Sequence, residues 1–312
     1  MRLLRRLPAI TVATLVVTGV VAVPVLAATI TGTPGADNLT GTVRADTIRA
    51  RPGNDVVHAR AGADRVFGGL GRDELYGQAG NDRIFGEWHK DRIFGGFGND
   101  LLYGGPGGDL IRGGPGNDEI HAGTGNDRVF SGDGIDVIYL GAGADYAEVW
   151  DATVHAGDGD DTVQADGIQV VAFLEDGDDT YDGGFVDFQT VYLGRGDDEV
   201  IDGIRSGVID GGPGDDTMYW EGTDSECDDP PCEWTVLKGG AGADTLFMNN
   251  NAGAMYGGSG PDHITASWPN QTVYAGTGND TIYAAGGTVY CGDGYDTVYW
   301  AAVHYDCENV VE

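Results

Sequence analysis

Thirteen aspartates recur at every ninth residue without a break: Asp37, Asp46, Asp55, Asp64, Asp73, Asp82, Asp91, Asp100, Asp109, Asp118, Asp127, Asp136 and Asp145. Two residues after each stands a mostly aliphatic side chain, as at Leu39, Ile48, Val57, Ile84, Leu102, Ile120 and Ile138, and finally at Ala147. Two residues before each there is usually Gly, as at Gly71, Gly80, Gly98, Gly107, Gly116 and Gly125. A period of nine fits neither a helix nor a long alternating strand. It predicts a strand of about three residues followed by a turn of about six, with the apolar residue facing inward and its two neighbours outward. One such unit buries nothing alone, so the units must stack into a continuous core. Gly supplies 55 of the 312 residues, which suits many tight turns and excludes long helices.

The best units are GGFGNDLLY (Gly95–Tyr103), GGPGGDLIR (Gly104–Arg112) and GGPGNDEIH (Gly113–His121). They resemble the RTX, or hemolysin-type, calcium-binding nonapeptide G-G-x-G-x-D-x-U-x. The resemblance covers essentially the whole chain after residue 28. It implies an all-β fold, a parallel β-roll or β-solenoid of 18-residue coils, with calcium held between each Gly-Asp turn and the turn one coil away. The chemistry is consistent. Calcium takes six to eight oxygen ligands, and Gly-rich turns can aim several carbonyls to one side. Aspartates can also simply cap turns, but capping does not demand Asp over Ser or Asn in thirteen successive units.

After Asp145 the Gly-Asp turns continue at Asp161, Asp179, Asp198, Asp216, Asp244, Asp262, Asp280 and Asp296, with a spacing near 18 and one step of 28. One edge of the solenoid is therefore expected to keep its ladder while the other stops. The continuing ladder is Asp55, Asp73, Asp91, Asp109, Asp127 and Asp145, running on into Asp161. The other is Asp64, Asp82, Asp100, Asp118 and Asp136. Calcium is expected at all of these except Asp91, where Lys90 places a cation alongside; Asp46, where Arg44 replaces Gly, is also excluded. Strands opposite the retained turns are expected at Thr190-Val191-Tyr192, Gly207-Val208-Ile209, Thr235-Val236-Leu237, Thr272-Val273-Tyr274 and Thr288-Val289-Tyr290, with the central Val in the core. This gives a β-roll over 29–147 with turns on both edges and a continuing solenoid over 148–312 with turns on one. The long step holds a loop near 224–234, and the C-terminus forms a cap. About 14 coils at roughly 4.8 Å each make a rod of order 65 Å.

The formal charge is −33, unevenly placed. Residues 29–145 carry 11 basic and 17 acidic side chains; residues 146–312 carry 3 and 33. Such a surface repels nucleic acid and anionic membrane and calls for cations. Arg2, Arg5 and Arg6 precede an apolar run from Leu7 to Leu26, the pattern of a secretory signal over 1–28, with an uncleaved anchor as the alternative. Export to an extracellular or surface location is expected, and four cysteines suit an oxidising compartment. Of the three pairings possible, Cys227–Cys232 and Cys291–Cys307 are favoured. The first would clip the loop and the second the last turn.

No catalytic residue is expected. There is no HExxH, and the nearest approach to G-x-S-x-G, Gly257-Gly258-Ser259-Gly260, lies inside a repeat. His58 and His121 take outward strand positions and read as surface residues. Aromatic columns form at Phe67, Tyr76, Phe85, Phe94, Tyr103, Phe130 and Tyr139, and later at Tyr192, Tyr256, Tyr274, Tyr283, Tyr290 and Tyr299. Their rings could stabilise one another across coils. They could instead engage an extracellular glycan or surface protein, as an adhesin would.

Overall fold

A computed structural model describes residues 26–186, 188–204, 206–221, 235–249 and 253–311. Most of the expected signal, and the loop with Cys227 and Cys232, lie outside the described residues. The described chain is a parallel β-solenoid of two 16-stranded sheets. One sheet runs from Thr29–Thr31 to Val303–Tyr305, the other from Asn38–Thr40 to Asn309–Val311. Successive strands alternate between the sheets, so each pairs with strands one coil before and after. Thr47 lies beside Arg65 and Ile48 beside Val66, 18 residues on. Coils of 16 residues keep the register, as at Ile138 and Val154. The step of 28 also keeps it: Ile209 lies beside Leu237, so strands flanking the ten-residue surplus pair as neighbours. Among the described residues no helix is long and apolar enough to cross a membrane.

The expected inward residues form the core. Ile48, Val57, Val66, Leu75, Ile84 and Ile93 are fully buried, and the column continues to Val298. Strands are longer than expected, however. Many span six to eight residues, such as Arg65–Leu70 and Gln169–Asp176. The ladder pairing runs past the core residue into the glycines, as between Gly123 and Gly141, because a Gly-rich turn enters directly above its copy in the next coil.

Two core assignments need correcting. Val208 and Val236 are partly exposed, while Ile209 and Leu237 are buried at 1% and 0% exposure. Pairing places Val191, Ile209, Leu237, Met255 and Val273 in one column. Adjacent aliphatic residues gave no alternation to decide between faces, and a slip of one residue exchanges inside for outside. The last turn is closed by a Cys291–Cys307 disulfide with a Cα–Cα distance of 5.2 Å, as expected.

This register makes a direct prediction. In saturating calcium, Ile209→Ala should lose about 2–5 kcal/mol of unfolding free energy, and Val208→Ala less than about 1 kcal/mol. Guanidinium melts of both variants distinguish them, and equal losses would contradict the register.

Candidate metal centre

Each Gly-Asp turn delivers its aspartate to the inside edge of the solenoid immediately before a strand. The backbone N–H of each ladder aspartate donates to Oδ1 of the aspartate one coil on, at 2.6–3.0 Å, for example Asp82 to Asp100 and Asp109 to Asp127. On one edge these bonds run unbroken from Asp37 through Asp145, Asp161 and Asp216 to Asp296. Glu308 takes the terminal rung, its Oε2 accepting from Asp296 N–H at 3.1 Å. On the other edge they run from Asp46 to Asp136 and stop. There the N–H of Asp136 donates to the Asp151 carbonyl at 3.2 Å instead. The two expected ladders are thus both present in the backbone, and the step from Asp216 to Asp244 spans 28 residues without breaking one.

The second carboxylate oxygen has a different fate. Oδ2 is buried without a hydrogen-bond partner in 19 aspartates: every expected ligand, and Asp91 as well. At nine of these aspartates it lies against a glycine five residues back; at the other ten that position holds Ala, Ser, Leu or Cys. A side-chain carbon added at Gly68 would come within 2.6 Å of Asp73 Oδ2 and 2.7 Å of the Gly86 carbonyl. Gly71, with φ of +139°, sits so close to the turn beneath that an added carbon would collide with the Gly53 carbonyl. Carboxylate oxygens and turn carbonyls therefore line the same narrow edge.

These residues fit a calcium ion. Rows of unpartnered carboxylate oxygens beside packed carbonyls are a hard, all-oxygen donor set. Among the described residues no three His, Cys, Asp or Glu side chains converge as a metal cluster. The acids are strung one per coil, so turn carbonyls would have to complete each site.

Without a cation the column is electrostatically costly. Burial, then the charge of neighbouring aspartates, pushes Asp91 and Asp179 up to about 8. The same causes push Asp100, Asp118, Asp161 and Asp216 up to about 7, against hydrogen bonds that oppose the shift.

Asp46 and Asp91, the two aspartates set aside from the sequence, behave differently from each other. At Asp46, Oδ2 accepts the Thr42 N–H and Oδ1 accepts the Ala28 N–H, both at 2.5 Å. Burial raises its pKa, but these bonds outweigh it and leave the carboxyl below its ordinary value. Asp91 has the geometry of its neighbours. Its N–H reaches Asp109 Oδ1 at 2.7 Å, because His89 adopts the positive φ (+78°) that Gly supplies elsewhere.

The aromatic columns are built as stacks. Phe67, Phe85, Tyr103, His121, Tyr139, His155, Phe173 and Tyr192 pile face to face at 4.6–5.1 Å. An Asp210–Lys238 ion pair at 2.9 Å follows, and then Tyr256, Tyr274, Tyr290 and Tyr305. His121 is therefore a member of a ring column as well as an outward residue. His58 likewise stacks on Tyr76 at 4.8 Å. Their position as last residue of the unit, shared with the Phe and Tyr, was the signal.

The family model for the RTX calcium-binding nonapeptide repeat matches residues 31–66, 67–102, 103–138, 121–147, 236–248 and 270–298. These segments make up more than half of the chain, which belongs to that family. A search of curated proteins finds no match. Among solved structures, the chain is similar to a hyperactive, Ca2+-dependent, β-helical antifreeze protein from an Antarctic bacterium. That likeness has 22% identity and a TM-score of 0.41, covering 85% of this chain and 83% of the other.

The raised carboxyls set a pH dependence for the metal-free protein. Unfolded, Asp titrates near 3.8; folded, the most shifted reach about 8. The folded state therefore binds more protons between these values, and its stability falls as pH rises through that window. In chelator, melting temperature should be highest near pH 4 and decline towards pH 8. Saturating calcium should abolish or reverse the decline, since binding requires deprotonated ligands. Calorimetric scans across pH check this; a metal-free melting temperature that climbs with pH would contradict it.

Proposed function

We propose that the chain is a secreted, non-catalytic calcium-binding rod in which calcium between stacked Gly-Asp turns drives folding. The observation that carries this reading is the row of 19 buried Oδ2 atoms with no partner. A buried carboxylate left unpaired costs several kcal/mol, and 19 of them strongly destabilise the metal-free fold at neutral pH. A divalent cation shared between neighbouring coils removes that penalty. The ligands are Asp55, Asp64, Asp73, Asp82, Asp100, Asp109, Asp118, Asp127, Asp136, Asp145, Asp161, Asp179, Asp198, Asp216, Asp244, Asp262, Asp280 and Asp296, to which the shared geometry adds Asp91. Asp46 is a turn cap. Secretion rests on the leader-like sequence of residues 1–28 and on the Cys291–Cys307 bond, which suits an oxidising compartment.

The adhesin-like reading of the aromatic columns has less support. Most ring faces are occupied by neighbouring rings or, at Phe94 and Phe130, by the Arg112 guanidinium, so it is chiefly edges that are presented to a glycan or protein.

Titration of the calcium-free chain with calcium, followed by circular dichroism, should show a cooperative gain of β structure that chelator reverses. Asp109→Asn keeps the Oδ1 acceptor but exchanges the orphaned oxygen for an NH2 group. It should raise the calcium midpoint several-fold, whereas Asp46→Asn should leave it nearly unchanged. A calcium-free chain that is fully folded at pH 7.5, and indifferent to calcium, would refute the reading.

A further inference from the structure

A basic region on this acidic molecule lies at a corner of the solenoid. Arg72, Lys90, Arg92, Arg112 and Arg128 line an open groove of about 600 Å3 together with Leu110, Phe130, Glu74 and the ladder aspartates Asp73 and Asp109. Strand pairing fixes their order. Arg92 and Arg128 flank Leu110 in one outward column, with Arg112 two residues further along the middle strand. Glu74 pairs with Arg92 at 3.0 Å. No described carboxylate pairs with Arg112 or Arg128. Their guanidinium groups instead lie over rings, Arg112 at 5.0 Å from the Phe130 centroid and Arg128 at 5.0 Å from that of Tyr146. Stacking of this kind holds the planar fork in place while leaving its N–H edges free for carboxylates.

The same corner, further along the rod, carries the opposite charge. Asp160, Asp178, Asp197 and Asp215 each stand one residue before a ladder aspartate, on successive coils, and all are exposed. The Asp178, Asp197 and Asp215 N–H groups donate to the carboxylate one coil earlier at 2.9–3.1 Å, which holds the acids in a straight file. Arg72 and Lys90 occupy the corresponding place before Asp73 and Asp91. Between the basic and acidic stretches that file holds Gly108, Asn126 and Ala144, which are small and uncharged.

We propose that this corner is the interface of an antiparallel dimer of calcium-loaded chains, the basic groove of each lying on the Asp160–Asp215 file of the other. Three features favour a second copy as the occupant. The charges are complementary. Both surfaces repeat once per coil, at roughly 4.8 Å, so they are commensurate without adjustment. A two-fold axis near Ala144 makes both contacts at once, as an isologous interface requires. The dimer rests on the calcium-loaded fold, because calcium lowers the self-repulsion of two strongly acidic chains.

Sedimentation velocity on the full calcium-loaded chain tests the proposal, with circular dichroism confirming that each sample is folded. The wild type should dimerise at micromolar concentration in low salt, and dissociate as salt screens the charges. Arg112→Glu/Arg128→Glu should be monomeric, and so should Asp178→Lys/Asp197→Lys. An equimolar mixture of the two should dimerise, because both contacts are then restored. Arg65→Glu/Arg83→Glu, an equal charge change on the opposite sheet, should dimerise like the wild type. A folded wild type that remains monomeric overturns the proposal, as does a mixture of variants that fails to associate. Retention of the monomer by an immobilised polyuronate through Arg112 and Arg128 would also overturn it, assigning the groove to an external polyanion. Failure to fold with calcium would show in the dichroism and would refute the calcium reading instead.

Discussion

The fold depends on how each ladder aspartate divides its two oxygens. One accepts the backbone N–H of the neighbouring turn and so locks one coil to the next. The other is driven into the edge of the solenoid, where no protein group meets it. The first bond fixes the register. The second oxygen creates a demand for positive charge that only protons or a metal ion can meet. Much else in the sequence follows from this. Gly68 stands where the Asp73 carboxylate and the Gly86 carbonyl leave no room for a side chain, and Gly71 where the turns stack backbone on backbone. The nine-residue period is the chain length that returns this arrangement to the opposite edge.

Where one ladder ends, the edge is rebuilt with other chemistry. The column that holds Asp118 and Asp136 continues as Ala152, Val170, Gln189, Gly207, Thr235, Gly253 and Gln271. The position occupied by Gly77, Gly95 and Gly113 becomes Ser131 and Val149, and later Trp220 and Met248, all of them buried. Once the carboxylate is gone the space takes side chains as large as Trp220, whereas beside the continuing ladder it holds nothing larger than Leu140, Leu174 and Leu193. Gln189 and Gln271 donate to the Gly183 and Met248 carbonyls at 2.8 and 3.1 Å, so side-chain amides serve backbone oxygens there. This edge is held by packing and neutral hydrogen bonds.

Periodicity made the fold, both ladders and the stopping point at Asp136 legible before any coordinates, because each coil repeats the same positions. Legibility failed where a residue's role depended on its neighbours in space. Val208 and Val236 could not be told from Ile209 and Leu237 without the strand beside them. Asp46 and Asp91 both stood in irregular units. Only the backbone reveals that Thr42 and Ala28 saturate the first, while His89 preserves the turn of the second. Glu308 lay outside any repeat, so nothing in the spacing marked it as the last rung. Strand length was underestimated because glycine pairs read as turn, although stacked glycines still exchange ladder hydrogen bonds.

The two edges also place different demands on calcium along the rod. Each carboxylate bonds to the turn before it, so neutralising one site steadies the next, and occupancy should spread coil by coil as in other one-dimensional repeats. Up to Asp136 both edges carry unpartnered carboxylates, and neither has an apolar alternative. Beyond it one edge carries no ladder carboxylate, and the surviving ladder sits among exposed acids such as Asp160, Asp178 and Asp197. Those acids raise the local negative potential and so favour cation entry at the same ladder. Of the 14 basic residues after residue 28, 11 lie in the part of the rod whose edges hold two rows of carboxylates. The excess acid lies where there is only one. The charge asymmetry of the sequence is therefore opposite in sign to the distribution of its ladder sites: divalent ions at eleven ladder aspartates would more than offset the net −6 of the first half, while those at eight would offset only part of the −30 of the second.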